Sequence, residues 1–200
     1  MNEKCIRCGS PAGFPVKALE VRTLHVRGLG GEQRVQALGD EKESAVCERC
    51  AQEQLDRSLS PFRAADSQLV SFGSVFTAGL FIIAATVLLK VSQVFLLLGI
   101  AALICGVLGA ADALRKAKEK SSALRALPRE EALAEAAWDV FTAEAPKKED
   151  INDLTWIPVN AKTRGRKNGD LMVLYNLLPE IAVEAWNRLH PSPGQQGGNV

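Results

Sequence analysis

A chain of 200 residues has room for one or two small domains. Its 24 Lys plus Arg are set against 23 Asp plus Glu, and a net charge of +1 excludes nucleic-acid binding driven by bulk charge. Mean hydropathy is close to zero, but the average conceals a partition: the 23 residues from Ser67 to Leu89 and the 21 from Val91 to Ala111 carry no charge.

In chain order, Met1 to Lys4 form a polar opening, and the first apolar run begins far downstream. No signal peptide is expected on that pattern. The first motif is Cys5-Ile6-Arg7-Cys8, and its echo is Cys47-Glu48-Arg49-Cys50. Two such pairs supply four thiolates, the complement of a closed tetrahedral zinc site. A two-residue gap lets the chain turn tightly enough for both sulfurs to lie about 2.3 Å from one ion. Gly9 then follows where the turn must leave with positive φ. The interval between the pairs, residues 9–46, exceeds the usual spacing of about 15–20.

The interval reads as strands. Residues 16–27 alternate in two phases, Ala18 and Glu20 against Leu19 and Val21, then Leu24 and Val26, with a bulge expected between. Residues 28–31 (Gly-Leu-Gly-Gly) are a turn, and 32–38 alternate again, with Val35 and Ala37 on one face. Such a hairpin brings its ends, and so the two cysteine pairs, together. From Ala51 a good helix former begins. The second pair therefore belongs either to a helix N-terminus, as in treble-clef sites, or to a plain knuckle, as in zinc ribbons. An iron tetrathiolate and a redox dithiol are the other chemistries the residues leave open.

The paired motifs ahead of two apolar runs resemble prokaryotic membrane proteins with an N-terminal zinc ribbon. The likeness covers the first 50 residues and the general layout. It implies one structural Zn²⁺ held by Cys5, Cys8, Cys47 and Cys50, and nothing catalytic.

The apolar runs read as helices over about 67–89 and 93–111. Each reaches the ~20 residues needed to cross a ~30 Å hydrocarbon layer. A link as short as Lys90-Val91-Ser92-Gln93 forces them antiparallel, as a transmembrane hairpin. Arg115, Lys116, Lys118, Lys120, Arg125 and Arg129 follow the second run, Arg57 and Arg63 precede the first, and the turn holds Lys90 alone. A two-pass protein of the plasma (cytoplasmic) membrane with both termini in the cytosol is expected. That places the cysteines in a reducing compartment, where such pairs bind metal more often than they form disulfides. Small residues form two rows on the second run, Ala101-Cys105-Gly109 and Ala102-Gly106-Ala110, and Ser71, Val75 and Gly79, with Gly73 and Thr77, give the first run its own small-residue surface. They suit close helix packing, within the hairpin or between chains. Neither span contains an ionisable group of the kind an ion pathway uses.

Residues 112–128 read as a charged helical stalk. Its Arg115, Lys116, Lys118 and Lys120 either attract anionic headgroups, at about 1 kcal/mol each, or serve only to set topology. Residues 129–190 read as a small cytosolic α+β domain. Leu133, Ala136, Ala137, Val140 and Phe141 form one helical face. Residues 154–159 read as an edge strand stopped by Pro158, 171–175 as a short buried strand, and 178–189 as a helix with Ile181, Ala182, Ala185, Trp186 and Leu189 as its stripe. The basic loop holding Lys162, Arg164, Arg166 and Lys167 reads as a solvated tip, with a phosphate contact as the alternative. The tail, 191–200, lacks the composition to fold. Trp138, Trp156 and Trp186 read as packing, and His25 and His190 stand apart.

No nucleophile–base, paired-carboxylate or phosphate-loop pattern appears, so no enzyme and no small-molecule substrate are expected. The fold class expected is an α+β membrane protein: a zinc-ribbon or treble-clef-like hairpin module over 1–60, a hairpin over 67–111, a stalk and a cytosolic domain. The task that fits is a non-enzymatic membrane anchor or adaptor, with a protein partner or self-association. The ten basic and ten acidic residues over 1–66 favour protein over nucleic acid. A thiol redox or zinc sensor is the alternative, favoured if Lys4, Arg7 and Arg49 lower the thiol pKa values.

Overall fold

A computed structural model describes residues 4–28, 31–90, 93–160 and 167–190. Two compact units divide the chain, residues 1–51 with 137–200, and residues 52–136.

The first unit is built on a four-stranded antiparallel sheet of order β2-β1-β4-β3. β1 (Phe14–Gly28) and β2 (Gly31–Val46) form one long hairpin. Its register runs from Phe14 opposite Val46 to Gly28 opposite Gly31. β4 (Asn152–Pro158) pairs with β1, Leu19 opposite Ile157 and Glu20 opposite Trp156. β3 (Lys148–Glu149) pairs only with Asn152 and Asp153, so β4 is an outer strand over most of its length, as Pro158 requires. Segments more than a hundred residues apart thus share one sheet.

The bulge lies nearer the start of β1 than the alternation suggests. Between Leu19 and Val21 the partner strand advances from Glu41 to Leu38, one residue more. Gly39 sits in that bulge because a Cβ there would lie 3.0 Å from Glu20 Oε1 and 3.1 Å from its Cβ. The space is taken by Glu20, which is fully buried. Lys42 Nζ lies 2.7 Å from Oε2, and Arg22 Nε lies 2.5 Å from Oε1. Burial pushes the Glu20 carboxyl up, but the hydrogen bonds and charges of these two cations outweigh it and hold the carboxyl below its ordinary value.

Leu19, Val21 and Ile157 share one face of the sheet and form a core with Leu171, Leu177, Ala182, Ala185 and Leu189. The other face carries Trp156, against whose ring Phe141 packs edge-on, at 5.6 Å and 80°. Val35 and Ala37 share a face as expected, but it is uncovered, and Val35 is 54% exposed. The inward positions of β2 are Leu38, opposite Val21, and Gln36. Gln36 accepts the Leu178 N–H at 2.6 Å and donates to Thr23 Oγ1 at 3.1 Å.

Seven helices occur among the described residues. α1 spans Glu48–Leu59 and α5 spans Arg129–Glu144, and both contribute to each unit. All five expected apolar residues of α5 are buried. The short buried strand expected at 171–175 is instead part of α6 (Asn168–Leu174). Four apolar residues in a row do not distinguish helix from strand. Asp170 decides it by accepting the Lys167 N–H at 3.2 Å in the first turn, leaving Leu171 buried while Val173 faces out. α7 (Pro179–Leu189) buries Ala182, Ala185 and Leu189, with Glu184 and Arg188 paired at 3.1 Å.

The second unit holds α2 (Pro61–Ala64), α3 (Asp66–Leu89) and α4 (Gln93–Arg125). α3 and α4 are long and apolar enough to cross a membrane, and only 11% of each one's most apolar stretch is buried. The expected stalk is continuous with the second apolar run in one 33-residue helix. The two helices pack against each other through glycines. A Cβ on Gly79 would meet the Gly99 carbonyl at 2.9 Å, and one on Gly106 would meet Phe76 Cβ at 2.9 Å. Phe72 fills the space beside Gly109. The row Ala102, Gly106, Gly109 therefore faces α3, whereas Ala101, Cys105, Ser71, Gly73 and Thr77 face outward.

Candidate metal centre

Three local structures bring the four cysteines together. Cys5 to Cys8 form a tight turn in which the Gly9 N–H donates to the Cys5 carbonyl at 2.9 Å, and Gly9 takes the positive φ expected of it, 74°. The Cys5 N–H donates to the Ser10 carbonyl at 2.7 Å, closing the knuckle. Two further bonds fasten it to the end of β2: Ile6 N–H to the Ala45 carbonyl at 3.0 Å, and Gly13 N–H to the Val46 carbonyl at 3.2 Å. Because β2 runs on to Val46, it delivers Cys47 beside the knuckle. Cys47 and Cys50 lie at the start of α1, with the Cys47 carbonyl accepting the Ala51 N–H at 3.1 Å. The helix alternative, rather than a plain knuckle, is the one adopted.

The four Sγ atoms all lie within 4.8 Å of one another, and Cys8 and Cys47 approach to 3.5 Å. A tetrahedral ion with bonds of about 2.3 Å sets sulfurs about 3.8 Å apart, so the cluster fits a four-coordinate metal. All four thiols are free. Cys5, Cys47 and Cys50 are buried and Cys8 is exposed. Four thiolate ligands on one ion would complete a tetrahedral shell and leave no position for water or substrate. A metal held there would brace the fold and supply no reaction centre.

The surroundings differentiate the thiols. Hydrogen bonds from the Ser10 side chain and backbone, then from Cys47 and Cys5, lower Cys8 to about 6. Burial raises Cys5, but the backbone N–H groups of Cys47, Cys8 and Arg7 together bring it below its ordinary value. Burial, then thiol hydrogen bonds with Cys47, Cys8 and Cys5, push Cys50 up to about 12. In metal-free protein a lowered Cys8 contributes stability above its unfolded pKa, and that contribution fades as pH falls through about 6. The raised Cys50 behaves oppositely: its contribution is present below the unfolded pKa and is lost as pH rises through about 12. At pH 7 a brief iodoacetamide pulse on metal-free protein is therefore expected to label Cys8 first and Cys50 last, read by peptide mass mapping. Uniform labelling would mean that the cluster is not formed without metal.

Ser10 and Gly13 are the site residues that sequence reasoning missed. Ser10 lies two residues after Cys8, and its hydroxyl is the signal that was open to view. Arg7 lies 3.7 Å from Glu144, tying the knuckle to the end of α5. His25 lies 3.6 Å from Asp153, and His190 stacks on Trp186 at 3.8 Å, both away from the cysteines. Arg115, Lys116, Lys118 and Lys120 lie exposed along α4, where Arg115 pairs with Glu119 and Lys116 with Asp112. Lys162, Arg164 and Arg166 of the basic loop and the tail lie outside the described residues, and Lys167 precedes α6. Comparison with known protein families, curated proteins and solved structures finds no match to the chain, so its functional reading rests on the chemistry of these residues.

Proposed function

We propose that the chain is a two-pass membrane protein carrying one structural Zn²⁺ on Cys5, Cys8, Cys47 and Cys50, and that it acts as an anchor or adaptor for a protein partner in the cytosol. The knuckle, long hairpin and helix N-terminus follow the layout of a treble-clef site. The observation that carries this reading is the juxtaposition, in one chain, of a closed four-thiol cluster and two apolar helices with open surfaces. Phe81, Leu88, Leu97, Leu98 and Leu108 are each about half or more exposed. A soluble monomer rarely leaves a contiguous apolar patch above roughly 300–600 Å² in water, and a lipid environment removes that cost. The excess of Lys and Arg beyond the ends of the hairpin, against Lys90 alone at its turn, supports cytosolic termini.

The exposed Cys8, with its lowered thiol pKa, favours a second reading in which oxidation begins there and releases the metal, making the module a sensor. One preparation separates the two. Membranes from expressing cells, washed with alkaline carbonate, should retain the chain, and protein purified without added metal should hold one zinc that survives mild peroxide. Carbonate release would overturn membrane insertion. Zinc lost reversibly at low peroxide, with disulfides formed, would favour the sensor.

A further inference from the structure

We infer that a cleft at the base of the helical hairpin, formed by α1, α2, the start of α3 and the charged part of α4, binds the phosphate headgroup of an anionic phospholipid. The inference rests on the reading of α3 and α4 as membrane-spanning. The cleft has a volume of about 330 Å³, enough for a phosphodiester and the atoms attached to it. Three cations, Arg57, Lys116 and Lys120, line it with Gln54, Ser58 and Gln68, and its walls carry no acidic side chain among the described residues. Lys116 is paired with Asp112 at 2.6 Å, but an ammonium has three donors and keeps others to offer.

Ser58 is the more telling residue. It is 4% exposed and lines the cleft with a hydroxyl. A phosphate oxygen would accept its proton.

The height of the cleft selects the ligand. The uncharged run of α3 begins at Ser67 and that of α4 ends at Ala111. The lining residues Gln68 and Ala113 stand within two positions of these limits, at the level headgroups occupy when the apolar runs lie in the hydrocarbon. The walls are also held in place: the Ser121 hydroxyl donates to the Leu59 carbonyl at 2.9 Å and Arg125 Nη2 to the same oxygen at 3.3 Å, fixing the end of α1 against α4.

The test uses the full chain in mixed phosphatidylglycerol and phosphatidylcholine vesicles, extracted into mild detergent, with retained lipid counted by native mass spectrometry. Carbonate resistance is scored on the same vesicles, so failure of insertion is read separately from failure of the site. Wild type should retain phosphatidylglycerol over phosphatidylcholine by on the order of tenfold. Arg57→Gln with Lys116→Gln and Lys120→Gln should abolish the preference, and Ser58→Ala should reduce it severalfold. Arg115→Gln with Lys118→Gln, on the same helix but outside the cleft, should leave it unchanged. An inserted wild-type protein without lipid preference would overturn the inference, and that arm needs no variant. Equal losses in the two sets of charge variants would reduce it to diffuse surface attraction. Displacement of the lipid by millimolar inorganic phosphate would make free phosphate the ligand and overturn the lipid assignment.

Discussion

Cys47→Ser should empty the metal site and unfold the N-terminal knuckle with the end of β2 and the start of α1. Binding of a structural zinc is worth about 10–16 kcal/mol in small modules, against about 5–15 kcal/mol for the whole stability of an ordinary domain. Little else can replace it locally. The buried apolar groups around the cluster are small: Ala45, Val46 and Ala51 beside the cysteines themselves. The knuckle is also tied by two backbone hydrogen bonds, from Ile6 and Gly13, each with a net value of about 1 kcal/mol, and by the exposed Arg7–Glu144 pair, worth no more than about 1 kcal/mol. The core under α7 does not include these residues, so the loss should be graded along the chain. On the proposed reading of one structural zinc, zinc content should fall from one per chain to nearly none. Amide exchange should accelerate strongly over residues 4–14 and 45–51 and much less at Leu19, Ile157 and Ala185. A variant that keeps one zinc and native exchange would show that three thiols suffice and that the closed four-thiol site is wrong.

This gradient follows from what the chain could and could not announce. The cysteine pairs were legible because metal ligation needs particular residues at particular spacings, and Gly9 was legible because its turn needs positive φ. The faces of α5 and α7 were legible because helical periodicity repeats over three or more turns. Leu171 lies in a run too short to carry a period, and its helical state depends on Asp170 three residues into the turn. The pairing of β1 with β4 was invisible for a different reason. Leu19 and Ile157 are joined by contacts across 138 positions, and each strand alone alternates in the same way with any partner. The alternation places Glu20 on the face opposite Leu19 and Val21, and nothing in it marks the carboxyl as buried. The bulge at Gly39 and the approach of Lys42, both from the neighbouring strand, join Arg22 of its own strand in making its burial tolerable. In the hairpin, small residues at four-residue spacing lay on several faces, and Gly99 completes the one that packs.

Trp156→Ala should cost about 3–5 kcal/mol, the usual range for removing a large buried aromatic side chain. Trp156 is 8% exposed and belongs to the strand that joins the two distant segments. Its Nε1–H donates to the Pro146 carbonyl at 2.9 Å, Phe141 packs edge-on against it, and Lys42 Nζ lies 5.2 Å from the ring centre. Alanine removes all three at once: the Pro146 carbonyl loses its donor, Phe141 borders a cavity, and Lys42 keeps only Glu20 of these partners. Trp156→Phe separates the contributions, since it restores most of the packing and leaves the Pro146 carbonyl unpaired. It should cost about 1–2 kcal/mol. Urea unfolding in detergent, followed through Trp138 and Trp186, measures both variants, and amide exchange should locate the damage in β4 and the C-terminal half of α5. An alanine variant within 1 kcal/mol of wild type would mean that this face of the sheet is not a packed core. The sheet would then be held from the α7 side alone, and the junction of β1 with β4 would be far weaker than its geometry requires.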